Sequence, residues 1–183
     1  MSNSIKDNTK RSKFLSLVLR HDPAKIGLTL DPEGWADIAE LIKKAPPRLF
    51  LSSDVIEEIV ASSDKQRFKI SDDGCRIRAN QGHSVKIDLK LTSSTPPAVV
   101  YHGTATRFVD AIMKEGLQPG SRNHVHLSLD LQTATKVGKR HGKPVILTVD
   151  AQQMVADGFE FFLSENNVWL TAHVPPIYLR LAE

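Results

Sequence analysis

The sequence predicts an α+β protein built as two lobes, residues 1–92 and 96–183. Two patterns and a break between them lead there. Three helix-period segments followed by an alternating ribbon occupy the first part, and a series of short β-rich segments with one clear helix occupies the second. Between them Leu91-Thr-Ser-Ser-Thr-Pro-Pro97 gathers Ser, Thr and paired prolines, the composition of a connector.

In the first lobe, Phe14, Leu17, Val18 and His21 recur at the spacing of one helix face. Asp22-Pro23 ends that helix, because proline disfavours helical geometry in the residue before it. A second helix is expected over Asp37 to Lys44, closed by Pro46-Pro47. A third starts at Ser53 or Asp54 and carries Val55, Ile56, Ile59 and Val60. Arg67 to Ile70 and Cys75 to Ala79 alternate on either side of a Ser-Asp-Asp-Gly turn, which predicts a hairpin. Three helices and a hairpin form the order of a winged helix, a common nucleic-acid-binding module. In the second lobe, strands are expected at Ala98–His102, His124–Ser128, Val145–Val149, Phe159–Phe162, Val168–Leu170 and Ile177–Leu181. A helix is expected from Arg107 to Glu115, stopped by Gly116.

Composition narrows the chemistry. With 183 residues, 40% of them hydrophobic and 25% charged, the chain has globular rather than disordered character. A lone Cys75 excludes an internal disulfide, and no Cys/His set has zinc-finger spacing. No apolar run approaches a membrane span, and the polar start MSNSIKDNTKRSK lacks a signal peptide's apolar core. A soluble, cytoplasmic monomer is the expectation. Up to Thr95 there are 16 Lys+Arg against 13 Asp+Glu, a net of +3; from Pro96 on there are 8 against 8. Five of the seven histidines lie in that neutral second part. Such an asymmetry suggests a polyanion held by the first lobe and chemistry in the second.

On the hairpin, Phe68, Ile70, Cys75, Ile77 and Ala79 are expected to point inward, leaving Arg67, Lys69, Arg76 and Arg78 on one outward face. Guanidinium forks match phosphate oxygens, so these four form a candidate phosphate surface; an ordinary solvated strand face is the plainer alternative. Arg20-His21 at the end of the first helix is a candidate joint anion site, with a core or helix-end histidine as its alternative. In the second lobe, Tyr101-His-Gly-Thr104 sets an imidazole beside a glycine at a strand end, where backbone can approach a ligand. His124, His126 and Ser128 share one strand face, with Arg122 just ahead. His-x-His could supply two metal ligands, but no nearby carboxylate or Cys completes a set, so no metal is expected. Neither a P-loop nor a Gly-x-Gly-x-x-Gly run is present.

Five fragments in order carry a resemblance: Leu15-Ser-Leu-Val-Leu-Arg-His-Asp-Pro23, Lys65-Gln-Arg-Phe68, Arg76-Ile-Arg-Ala-Asn-Gln-Gly-His-Ser84, Tyr101-His-Gly-Thr104 and His124-Val-His-Leu-Ser128. Together they resemble the RNA 2'-phosphotransferase family of KptA type, from about Ser12 to Tyr178. The resemblance implies a winged-helix lobe joined to an ADP-ribosyltransferase-like lobe that binds NAD. NAD would be consumed as a co-substrate, with a 2'-phosphorylated RNA, as at a tRNA splice junction, as the partner. The implied reaction has two steps. The 2'-phosphate attacks the nicotinamide ribose and expels nicotinamide. The 2''-hydroxyl of the attached ADP-ribose then attacks phosphorus, giving 2'-OH RNA and ADP-ribose 1'',2''-cyclic phosphate.

The family's Arg-His-Arg-Arg catalytic set carries over to Arg20, His21, Arg67 and Arg122. Contacts to NAD are expected from His102, Gly103, Thr104, His126 and Ser128, with Arg140 and His141 near the diphosphate, and contacts to RNA phosphates from Lys69, Arg76 and Arg78. Many protein-modifying ADP-ribosyltransferases carry a glutamate where this chain has Val168, with Glu165 in the preceding loop. A phosphate nucleophile, which brings its own charge, fits that absence. Two rival expectations stand: transfer to another phosphate acceptor such as a nucleic-acid end, and an RNA-binding protein without turnover.

Overall fold

The computed structural model describes residues 2–63 and 65–182, and the chain divides into two compact units, Met1–Lys90 and Leu91–Glu183. Helices and small antiparallel sheets alternate in both, an α+β arrangement.

In the first unit, helix α1 runs Ser2–Arg20, α2 Ile38–Lys44 and α3 Ser53–Ala61. Asp37 caps α2 by accepting the Glu40 N–H at 2.7 Å. The cap of α3 is Ser52, one residue ahead of the expected Ser53 or Asp54; its hydroxyl accepts from Val55 N. Strands β1 (Ala36–Asp37), β2 (Phe68–Ile70) and β3 (Arg76–Ala79) form one antiparallel sheet in the order β1-β3-β2. β1 was absent from the sequence expectation because two residues have no periodicity to read. Leu15, Val18 and Leu19 of α1 pack with Leu41, Ile56, Phe68 and Ile77 in the core.

Two expectations change here. The buried stripe of α1 is rotated by one residue from Phe14, Leu17 and Val18, which leaves His21 exposed just beyond the helix end. Cys75 is exposed, because it belongs to the turn rather than to β3; its N–H is held by the Asp73 carboxylate at 2.9 Å.

The second unit holds two three-stranded antiparallel sheets. One is β4-β6-β9, with β4 at Val99–Ala105, β6 at Pro144–Asp150 and β9 at Leu179–Leu181. The other is β5-β8-β7, with β5 at Val125–Leu127, β7 at Phe162–Leu163 and β8 at Trp169–Thr171. A bridge between Tyr101 and Ser128 links the two sheets. Helix α4 (Val109–Glu115) ends at Gly116, whose φ of 82° suits glycine. Residues 159–161 lie outside β7, and Pro176–Tyr178 is a 3-10 turn before β9, so both expected strands are shorter.

Helices α5 (Leu131–Gly138) and α6 (Ala151–Ala156) were not expected. Their signals were nonetheless local: Asp130 and Asp150 each accept the N–H three residues on. Val100, Leu127, Leu147, Val149, Phe161 and Leu179 lie in the core. Among the described residues no helix is long and apolar enough to cross a membrane.

Candidate functional site

The first unit brings Arg20, His21 and Arg67 together through backbone groups. Arg20 is the last residue of α1, and its Nη2 donates to the Arg67 carbonyl at 3.3 Å. Its guanidinium lies 5.8 Å from the Phe68 ring centroid. The same Arg67 carbonyl accepts the Asn80 N–H at 3.0 Å. Gln66, just before, has φ +40°, a conformation rare outside glycine. The Asn80 side-chain amide donates to its carbonyl at 2.6 Å and holds it there. His21 faces Ser84, with Nδ1 and Oγ 3.0 Å apart. Ser84 and Val85 in turn donate their N–H groups to the Arg20 carbonyl at 2.9 and 3.3 Å, which closes the C-terminus of α1.

Beneath this lies His83, 2% exposed. Burial first, and then the charges of Arg20, His21 and Arg78, push its pKa down to about 3, so its ring is neutral at physiological pH. A neutral ring adds no charge against Arg20 and Arg78. In the sequence, Asn80, His83 and Ser84 stand out only as members of a motif. Their roles depend on the path of the chain after β3, which no local pattern reveals.

The hairpin cations are less uniform than their alternation suggests. Lys69 and Arg78 sit opposite each other in the β2–β3 register, on the exposed side from Phe68, Ile77 and Ala79. Arg78 stacks on Trp35 at 4.6 Å and Arg76 at 5.4 Å from the ring centroid. Arg76 also pairs with Asp31 at 3.6 Å. With Trp35, Lys69, Ser71, Asp72 and Asp73 it lines an open cavity of about 310 Å³. Asp72 and Asp73 in that cavity give the Lys69 and Arg76 end of the ribbon a mixed charge rather than a purely cationic one.

In the second unit, β4 and β5 present the histidines. Tyr101 and Ser128 exchange N–H···O bonds of 2.9 and 2.7 Å, which fixes the two strand ends side by side. His102 Nδ1 lies 3.2 Å from the His126 carbonyl. A carbonyl only accepts, so that nitrogen carries the proton. Burial, and then the charges of His141 and Arg122, keep His102 below the usual histidine range against the opposing pull of that carbonyl. Arg122 Nη1 lies 3.4 Å from His126 Nδ1, so the arginine donates and His126 accepts. Arg122, His102, His126 and His141 are therefore neighbours in space.

His124, with its pKa lowered by burial, makes an edge contact with Phe162 at 5.8 Å instead. Thr104 is buried on β4, while Arg140 is exposed beyond α5.

Gly103 has a different reason from the one expected. It lies in the middle of β4, not at its end, and a Cβ there would come within 1.8 Å of the Ala134 carbonyl oxygen of α5. The close approach it permits is that of a helix. Val168 precedes β8 and donates its N–H to Ser164 Oγ at 3.0 Å; Glu165 lies in the turn before it.

A two-unit α+β protein with Arg20 and Arg78 beside a buried neutral histidine in the first unit, and Arg122 beside His102 and His126 in the second, carries groups suited to holding phosphate. Residues 6–173 match the model of the family described as RNA 2'-phosphotransferase, Tpt1 / KptA. A protein of Hahella chejuensis named probable RNA 2'-phosphotransferase is 58% identical over 174 residues, 94% of each chain. Proteins given the same name in Acaryochloris marina and Rhodopirellula baltica are 56% and 58% identical; they cover 91% and 92% of this chain and 93% and 92% of their own lengths. The chain belongs to the RNA 2'-phosphotransferase family, a family of RNA-modifying transferases.

Proposed function

We propose that this protein removes an internal 2'-phosphate from RNA with NAD as co-substrate, through a 2'-phospho-ADP-ribosylated RNA. In this proposal the first unit is a winged-helix RNA-binding lobe and the second an ADP-ribosyltransferase-like lobe. The observation that carries it is the gathering of Arg20, His21 and Arg67 around one stretch of backbone in the first unit. A phosphate dianion needs positioning by cations and no strong base to make it a nucleophile, and that is what this set supplies.

The residues of the second unit fit a dinucleotide. His102 is held neutral with a fixed proton on Nδ1, and Arg122 brings positive charge beside it for a diphosphate, with His141 nearby. His102, Thr104, His126 and Ser128 would hold NAD, whose nicotinamide leaving group provides an electrophilic sugar carbon. Arg20 and Arg67 hold the RNA phosphate, and His21 steadies the same group. As negative charge grows on the phosphoryl oxygens in the second step, Arg122 stabilises it. Lys69 and Arg78 hold the flanking RNA backbone.

Incubation with NAD and an oligonucleotide carrying one internal 2'-phosphate tests this. The expected products are 2'-OH RNA, nicotinamide and ADP-ribose 1'',2''-cyclic phosphate. A stable ADP-ribosyl adduct as end product, or RNA binding without nicotinamide release, would replace this function with one of its rivals.

A further inference from the structure

Ser84 lies 63 residues from His21 in sequence and meets its ring at Nδ1. The same hydroxyl donates to the Arg20 carbonyl at 3.4 Å. With its proton directed there, the Ser84 oxygen presents lone pairs to His21, so Nδ1 is the protonated ring nitrogen and Nε2 carries the lone pair. Gly82, at φ +86°, makes the turn that sends His83 inward and Ser84 outward. His83 is buried beneath, and the Ser84 and Val85 N–H groups tie the segment to the end of α1. Ser84 is thus fixed by its own backbone while its side chain meets the ring of a residue just past the end of α1, whose N–H bonds the Leu17 carbonyl at 2.9 Å.

We propose that Ser84 is a positioning residue for His21: in the protein without substrate it selects the Nδ1–H tautomer, and it sets the ring so that Nε2, taking a proton from water as the dianion binds, is the nitrogen that donates to the RNA phosphate. This rests on the function proposed above for its reaction, but the tautomer itself is a property of the protein without substrate. One hydrogen bond of this kind corresponds to roughly a 3- to 10-fold effect on rate.

Two measurements on the full-length chain test it. The first is the long-range ¹H–¹⁵N spectrum of the histidine rings, with His21 assigned by comparison with His21→Gln. The expected result is an Nδ1–H pattern for His21 that is lost in Ser84→Ala and kept in Ser84→Thr. An unchanged His21 pattern in Ser84→Ala overturns the proposal. The second is single-turnover dephosphorylation at saturating RNA and NAD. Ser84→Ala is expected to be slowed about 10-fold with little change in the RNA concentration for half-saturation, and Ser84→Thr to recover the rate. In the His21→Ala background, Ser84→Ala should add no further loss; an equal loss in both backgrounds refutes action through His21. Should His21→Ala alone keep the full rate, the role of His21 in the proposed function falls, while the ring spectrum still decides what Ser84 does.

Discussion

Lowering the pH from 7 to 5 should cost the first unit about 2 kcal/mol through His83 alone. The ring is 2% exposed and its pKa is pushed from 6.5 to about 3 by burial and by the nearby cations. In the unfolded chain the same ring titrates near 6.5, so below that value the unfolded state binds the extra proton and is favoured. The contribution to stability is therefore fully present above about pH 6.5 and is lost progressively as the pH falls toward 3. At pH 5, which is 1.5 below the unfolded value, the loss at 1.36 kcal/mol per pH unit is about 2 kcal/mol. Urea unfolding followed by Trp35 fluorescence in a Trp169→Phe background reports on the first unit, because the other tryptophan lies in the second. His83→Gln removes the titration, so its stability should fall by about 2 kcal/mol less than that of the parent over the same pH interval, whatever its stability at pH 7. Equal losses in the two proteins would refute the account of His83 as a buried neutral ring.

Arg122→Ala should lose about 2.7–4 kcal/mol of transition-state stabilisation, roughly 100- to 1,000-fold in rate. If the loss falls on the second step, labelled RNA will show a persistent slower-migrating ADP-ribosylated band while nicotinamide is still released; absence of that band moves Arg122 to the first step or to NAD binding. Arg67→Ala should depress turnover far more than Arg78→Ala, which should instead weaken RNA binding and lower its salt dependence. Because Arg78 also stacks on Trp35, its loss should lower the stability of the first unit by about 1 kcal/mol, read as an earlier urea midpoint. Gly103→Ala should destabilise the second unit by about 3 kcal/mol, since the new methyl group meets helix backbone that cannot swing aside, and thermal unfolding would show it without any ligand present.

Local structure is legible in the residues alone. Helical periodicity and caps placed α2 to α4 to within a few residues and marked the end of α1 but not its start at Ser2, since the polar residues before Phe14 show no apolar stripe; alternation placed the hairpin with Phe68, Ile77 and Ala79 inward. The order of five short motifs was sufficient for the family, and the residues they contain include Arg20, His21, Arg67 and Arg122. Short elements escaped, because β1 and α6 offer two and six residues and carry almost no periodic signal.

Tertiary structure alone decided what holds the site. His21 meets Ser84 across 63 residues, and Asn80 reaches Gln66 across 14. The glycine at position 103 is explained by a helix that begins 28 residues later, at Leu131. Such contacts are set by how elements pack after they form. Local pattern encodes which elements form and which face is apolar, but the pairing of one side chain with another depends on the loops that return the chain to the same place.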